Sequence, residues 1–517
     1  MGIFRIDDLL LPSAFAHPAD RLVMHETHLS WVILAGDFAY KVKKAVRFDF
    51  IDATSLARRE QLCRDELRLN QRLAPQLYLE VVPITWRDGA CRIGGAGEAL
   101  EYAVRMQRFD TDAELASLLD RGEAGVGEIA ALGELLAHFH ARAARAAAGD
   151  ACTQALRRSV LKAVDSLLQH EVARRLLPEL DDLVDWLRTT LANHSAALAR
   201  REAGGRVREC HGDLHARNIV RWQGELIPFD CLEFDPALRW IDAMNDIAFL
   251  YMDLQSHRRS DLACTLMNAW LEHTGDYAGL PLLPLYAAYR AIVRAMVDAL
   301  AMEQTPERRQ VYEPRLQARL RTAAGGMHAG PPALLIMHGA SGSGKSWLSS
   351  RLLPSIPAIR IRSDVERKRL LAGDGGVAGG LYGTEANRRT YAHLLECAEG
   401  GLDAGLHTLV DAAFLDAGNR RLFQSLAAAR GARFVILSCE ADRATLAARI
   451  RGRQLEGRDP SDADVTVLQR QMRHLQSLDA QEIPFTVRVD TGGADPVGYA
   501  LDAIRRLLDS RDPPPPL

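Results

Sequence analysis

The sequence predicts a multidomain α/β chain: an N-terminal α+β half in two lobes, then a C-terminal half with a parallel sheet covered by helices. Three observations carry this. The length, 517 residues, corresponds to roughly three domains. Short strands and turns fill the first part of the chain and give way to long Ala/Leu/Arg-rich helical stretches. Beyond a Gly/Pro-rich break at 321–332, strands and helices alternate, the pattern of a parallel sheet buried on both faces.

In order, residues 31–34 and 38–43 read as a hairpin about Gly36-Asp37. Residues 56–73 read as a helix stopped by Pro75, followed by strands at 77–84 and 100–106. Residues 113–203 read as helical. Strands follow at 206–209, 219–222 and 226–229, and helices again over 240–321. In the last part, strands at 333–337, 359–362, 408–410 and 433–438 alternate with helices at 345–353, 386–404, 418–429 and 442–452. The expected boundaries are 1–107 and 108–322 for the two lobes, 323–332 for a linker, 333–510 for the last domain and 511–517 for a disordered Pro-rich tail. No internal repeat is present.

Composition excludes several classes. A net charge of −3 and a pI near 6.6 argue against a general binder of nucleic acid or membrane surfaces. Eight cysteines lie scattered without C-x-x-C spacing, which predicts reduced, buried thiols and a cytoplasmic location. The run Leu9-Leu10-Leu11 follows Asp7 and Asp8 and meets Pro12, so it makes a poor secretory signal. Residue 6 is Ile where myristoylation would require Ser or Thr. No run approaches the about 18 apolar residues needed to cross a bilayer, so no membrane partner is expected.

Of the 64 basic residues only six are lysines, at 41, 43, 44, 162, 345 and 368. A chain that writes nearly every positive charge as Arg keeps Lys at two places where a compact point charge suits a phosphate.

The first place leads to the loop His211-Gly-Asp-Leu-His-Ala-Arg-Asn218. Phosphoryl transfer needs a carboxylate at the acceptor proton, oxygen ligands for Mg²⁺, and a cation on the α/β-phosphates. Asp213 can serve as the base, while Asn218 and Asp230 supply hard oxygen ligands. Lys41, or Lys43 on the same strand face, or Lys44, supplies the cation, and Glu66 is the carboxylate placed to position it. Two other readings of the loop remain: a turn-forming Asp213, and a zinc site built on Cys210, His211 and His215. The second would require helix where Gly212 and β-type runs oppose it.

At these residues the chain resembles the aminoglycoside phosphotransferases, within the wider protein-kinase-like fold, over about residues 20–320. The resemblance implies that Met106 and Gln107 join the lobes beside the adenine and that Asp246 anchors the catalytic loop internally. Two departures stand out. His25-Glu-Thr-His-Leu-Ser30 occupies the place of a Gly-rich loop, and Phe229-Asp-Cys-Leu-Glu-Phe234 replaces Asp-Phe-Gly, so that Glu233 is a second candidate for the metal-ligand duty of Asp230.

The second place is Gly339-Ala-Ser-Gly-Ser-Gly-Lys-Ser346, after an apolar strand and at the start of a helix. Gly339, Gly342, Ser343 and Gly344 let backbone N–H groups close on the β-phosphate, Lys345 meets β/γ oxygens, and the Ser346 hydroxyl joins Mg²⁺. Asp411, ending a strand, reaches the metal's outer shell. Asp364 and Arg367 sit three apart at a helix start, fit to orient an acceptor hydroxyl and hold a substrate anion; a plain helix cap is the other reading of Asp364. Arg449 and Arg453, with Arg458 beyond, suggest a lid closing on the transferred group, although in so Arg-rich a chain a solvated face is equally expected. These features resemble small P-loop kinases of the gluconate-kinase, polynucleotide-kinase and zeta-toxin groups, over about 333–510.

The expectation is a bifunctional phosphotransferase using ATP and Mg²⁺ at both sites on small-molecule acceptors. Nucleotide or polynucleotide is an alternative acceptor for the C-terminal domain. The arrangement resembles bacterial fusions of an aminoglycoside phosphotransferase-like domain with a P-loop kinase. The alternatives are an N-terminal kinase governed by a C-terminal nucleotide switch, and an N-terminal domain that phosphorylates protein.

Overall fold

In the computed structural model, residues 4–509 are described apart from 49–50, 88, 96, 148, 329, 373–382 and 457–464. The chain packs as two units, one of Met1–Lys162 with Asn193–Asp253, the other of Ala163–Ala192 with Leu254–Leu517. Helical residues 163–192 and 254–322, which the sequence groups with the first half, thus pack within the second unit.

The first unit is built on a six-stranded antiparallel sheet. Its order is Leu22–Glu26, Ser30–Ala35, Phe38–Lys43, Ala99–Gln107, Tyr78–Arg87 and Ala90–Ile93. Alternation along Phe38–Lys43 sends Tyr40 and Val42 into one core, with Ile33 and Ile84, and Ala39 into another, with Tyr78, Val104 and Met106. The helix Leu56–Asn70 starts at Ser55, whose Oγ accepts a hydrogen bond from the Arg58 amide at 3.2 Å. Its Cys63 lies in the second core, and its Arg59 makes a buried pair with Glu101 at 2.7 Å. The hairpin Ile219–Trp222/Glu225–Pro228 adds Val220 and Ile227 to that core, so the loop 211–218 that leads into it hangs from the same hydrophobic cluster as the sheet.

The second unit contains a five-stranded, all-parallel sheet ordered Ile359–Arg362, Thr408–Asp411, Ala333–His338, Arg433–Glu440 and Thr486–Asp490. Every residue of the central strand is buried, because helices cover both faces. On one face Leu335, Met337, Val435, Leu437 and Val489 pack against Leu348 and Leu352 of the helix Lys345–Leu352 and Ile504 of Pro496–Asp509. The strand Thr486–Asp490 and the helix after it lie beyond the elements read from the sequence. The helix Arg309–Gly325 runs into the stretch expected as a linker, because Ala323 and Ala324 are buried.

Tyr277–Gln304 is long and apolar enough by composition to cross a membrane, yet 67% of its most apolar window is buried inside the protein. All eight cysteines are free thiols, and all but Cys152 are buried. The expected tail, 511–517, lies outside the described residues, as do Arg458 and the side chain of Arg453.

Candidate active sites

The first site is organised by a ladder of alternating charges. Lys41 Nζ lies 2.5 Å from Asp230 Oδ1 and 2.8 Å from Glu66 Oε1. Lys43 Nζ lies 2.5 Å from Glu66 Oε2 and 2.5 Å from Glu233 Oε1. Strand alternation puts both lysines on one face, where the buried Glu66 bridges them. Burial by itself would favour a neutral Glu66, but Lys41 and Lys43 overcome it and hold the carboxyl down at about 2. Glu233 moves the other way, raised by burial and by its anionic neighbour Glu66 against the pull of Lys43. Lys44 points elsewhere, to Glu26 Oε1 and the Thr27 carbonyl, both at 2.5 Å. Of the three lysines, therefore, Lys41 is the one set against Asp230. Glu233, the second candidate for metal-ligand duty, is buried in its pair with Lys43, whereas the Asp230 side chain is 40% exposed.

The loop 211–218 hangs on Asp246. Its carboxylate accepts from the His211 amide at 3.1 Å and the Gly212 amide at 2.9 Å, and meets His140 Nε2 at 3.0 Å. Burial opposes this charge, but the contact with His140, the nearby His211 and the Gly212 amide hold the group at about 2. Gly212 is required here, since at φ 86° a Cβ would stand 2.9 Å from the Leu238 carbonyl. Asn218 Nδ2 donates to Asp213 Oδ2 at 3.0 Å, and His215 Nε2 lies 3.3 Å from that oxygen. Asp230 holds a left-handed φ of 61°, and its amide donates to the Tyr78 hydroxyl at 3.1 Å. This backbone turn aims its carboxylate at Lys41.

Cys210, His211 and His215 do not converge. Their partners are the Ile241 carbonyl, the Phe229 carbonyl and the Arg217 amide, so the zinc reading has no centre. Met106 is buried in the core with Ala39 and Phe229, and the Gln107 amide donates to the Leu77 carbonyl. Asp253 was not foreseen; it accepts from the Ala216 amide at 2.9 Å and pins the far end of the loop.

The second site lies in a cavity of about 1230 Å³ lined by Lys345, Ser346, Asp364, Arg367, Asp411 and Arg449 among others. Two loop glycines are demanded sterically. A Cβ on Gly339 (φ 134°) would meet the Cys439 carbonyl at 2.6 Å, and one on Gly342 (φ 83°) the Leu446 carbonyl at 2.7 Å. Gly344 is also left-handed, and beside it Thr491 Oγ1 donates to the Ser343 carbonyl at 2.9 Å. Lys345 Nζ donates to the Ala340 carbonyl at 2.9 Å, across the loop it closes. Asp411 Oδ2 accepts from Arg360 Nη2 at 2.6 Å and Ser349 Oγ at 3.1 Å. Burial opposes its charge, yet Arg360 and Lys345 hold the carboxyl below its ordinary value.

Three buried polar atoms around this loop, Ser343 Oγ, His338 Nε2 and Arg360 Nε, have no hydrogen-bond partner among the described residues. The glycine-bent backbone with Lys345 and Ser346 in the cavity wall fits an oxygen-rich anion such as a triphosphate.

Asp364 lies in the first turn of the helix Ser363–Leu371 behind Arg362, so it is not the cap residue; its Oδ1 is 3.6 Å from Arg367 Nη1. Arg367 also donates to Asn387 Oδ1 at 3.1 Å. Arg449, expected to close on the transferred group, lines the cavity and is held on the glycine loop and its neighbour Thr491. It donates to Thr491 Oγ1 at 2.8 Å, the Thr491 carbonyl at 3.1 Å and the Gly342 carbonyl at 3.4 Å, bracing the loop from below. Arg360, Thr491 and Gln471, which accepts from the Ser341 amide at 2.7 Å, were missed because each comes from a separate part of the sequence.

The family described as AAA domain matches residues 334–478. Solved structures with partial likeness include a choline/ethanolamine kinase family protein from Mesorhizobium loti and a gluconokinase from Sinorhizobium meliloti. The first is 13% identical, spans 60% of this chain and 90% of that one, and has a TM-score of 0.36. The second is 23% identical over 34% and 93% of the two chains, with a TM-score of 0.26. Relatives cover more. The uncharacterized protein Rv2004c of Mycobacterium tuberculosis and the uncharacterized protein Mb2027c of Mycobacterium bovis are each 31% identical over 455 residues, 84% of this chain and 87% of theirs. A match of that extent shows that the chain belongs to the same family as these mycobacterial proteins.

Proposed function

We propose that the chain is a bifunctional ATP-dependent kinase, each unit moving the γ-phosphoryl of ATP to the hydroxyl of a small-molecule acceptor. The observation that carries this reading is the presence of two separate lysine-and-carboxylate constellations, Lys41/Glu66/Asp230 with Asp213 and Asn218, and Lys345/Ser346/Asp411 on a glycine loop.

At the first site Lys41, steadied by Glu66, holds phosphate oxygens, and Asp213 accepts the acceptor's proton while Asn218 keeps its carboxylate in place. At the second, the loop amides and Lys345 hold the β- and γ-phosphates, Asp364 orients the acceptor hydroxyl and Arg367 steadies an anionic group on the acceptor. Both sites fit a hard divalent ion by donor type: Asn218 and Asp230 at the first, the Ser346 hydroxyl with Asp411 behind it at the second. Mg²⁺ bound there would neutralise charge on the phosphate oxygens. A cytoplasmic location suits this chemistry and the eight free thiols.

The test is metabolite profiling with γ-labelled ATP for Asp213→Ala and Lys345→Ala assayed separately. Each substitution is expected to remove one labelled small molecule and spare the other. Loss of both with either change would mean one coupled activity. Label on protein bands would assign the first unit a protein substrate, and acceptor-free hydrolysis that alters the first unit's rate would make the second a switch.

A further inference from the structure

Among the described residues, the parallel sheet of the second unit has an open edge at Ile359–Arg362, paired there only with Thr408–Asp411. In a parallel ladder alternate residues bond to alternate sides. The Ile359 amide donates inward, to the His407 carbonyl, so the Ala358 carbonyl and the Arg360 amide face outward. Unpaired edge groups of this kind are a liability that a fold has to cover. One side chain covers both. Asn268, on the helix Ser260–Thr274, donates Nδ2 to the Ala358 carbonyl at 2.9 Å and accepts the Arg360 amide on Oδ1 at 2.7 Å. Its amide thus does what one residue of a neighbouring strand would do. Four residues on, Glu272 pairs with Arg362 at 2.7 Å, and its carbonyl accepts from Arg369.

The residue whose backbone Asn268 fixes is Arg360. Its guanidinium reaches Asp411 Oδ2 at 2.6 Å and the Ser346 carbonyl at 3.3 Å, and both of those residues line the cavity. We propose that Asn268 and Arg360 are positioning residues for phosphate binding at the second site. The helix Ser260–Thr274, which precedes the glycine loop by more than sixty residues of sequence, acts through them as a structural part of that site. The inference rests on the second site being a nucleotide site, and extends it to a helix that neither the glycine loop nor the matched segment 334–478 contains.

The design of Asn268 separates positioning from packing. Asn268→Asp keeps the acceptor for the Arg360 amide and loses the donor; Asn268→Leu keeps similar volume and loses both. Hydrogen exchange of the full chain, read peptide by peptide against a series of concentrations of a non-hydrolysable ATP analogue with Mg²⁺, reports occupancy of the second site through protection of residues 339–346. Wild-type protein should show saturable protection there; if it shows none, the nucleotide reading itself fails. Given that protection, Asn268→Leu should raise the half-saturating concentration about five- to tenfold, the worth of about one hydrogen bond. It should also speed exchange at 358–362 and 408–411 while leaving 333–337 protected. Asn268→Asp should fall between Asn268→Leu and wild type, and Arg360→Gln should match or exceed Asn268→Leu without speeding exchange at 358–362. The proposal is overturned if Asn268→Leu leaves half-saturation within about twofold of wild type. It is equally overturned if Asn268→Asp binds no better than Asn268→Leu, or if Arg360→Gln binds as wild type does.

Discussion

The two sites hold charge in opposite ways. In the first, every charged side chain near Lys41 is already paired: Asp230, Lys41, Glu66, Lys43 and Glu233 form one continuous ladder, most of it buried. In the second, the cavity is walled by backbone bent by left-handed glycines, with Lys345 and Ser346 beside it. A paired ladder fixes one cation in place at a cost that the fold must bear, because burying ions is expensive unless each is matched. A glycine loop offers backbone amides to a ligand without a ladder of buried ion pairs. Substitutions should therefore cut differently: stability together with activity at the first site, activity with little loss of stability at the loop.

The largest effects break the comparison into its halves. Asp213→Ala should slow formation of the first product by roughly 10²- to 10⁴-fold, and Lys345→Ala the second by about 10²- to 10³-fold. Each should leave the other product's rate unchanged, as read in parallel initial-rate assays. Next comes the ladder itself. Glu66→Gln removes the carboxylate shared by two buried lysines and should cost on the order of 3 kcal/mol of stability in a denaturant melt, whereas Lys345→Ala should leave the melt nearly in place.

The loop anchor supplies a pH test. Asp246 is held at about 2, below its ordinary 3.8, so it contributes stability above the ordinary value that is lost as pH falls through about 2. Melts between pH 4 and 2 should show the first unit losing roughly 2 kcal/mol from this group. Asp246→Asn should be less stable at neutral pH and flatter across that window. The smallest effect is at Lys44. It lies just past the strand end, paired with an exposed Glu26, and Lys44→Ala should change stability by no more than about 0.5 kcal/mol. A large effect there would mean that the ladder is not the element that selects the cation.

The same contrast explains what could be read in the chain beforehand. The second site is local: glycine loop, Lys345, Ser346 and the strand end at Asp411 follow one another in a short repeating pattern, and a three-residue spacing joins Asp364 to Arg367. The first site depends on pairings across nearly two hundred residues, Lys41 with Asp230 and Lys43 with Glu233. Alternation along the strand could narrow three lysines to two but not to one, and it could not show that Glu233 is occupied. Strands Leu22–Glu26 and Thr486–Asp490 escaped because both are five-residue edges with charged residues facing out; in the second, Val487 and Val489 are the only inward pair. The bond of Arg449 to Thr491 could not be read in advance, because nothing in its neighbourhood points to a residue forty-two positions on. Asn268 and Arg360 were invisible for a related reason: the open edge they serve exists only once the sheet is assembled.

The most direct measurement of the central claim is calorimetric titration of the intact chain with a non-hydrolysable ATP analogue and Mg²⁺. The account predicts a stoichiometry of two, falling to one in Lys345→Ala with the remaining affinity unaltered. A stoichiometry of one in the unaltered chain would contradict it.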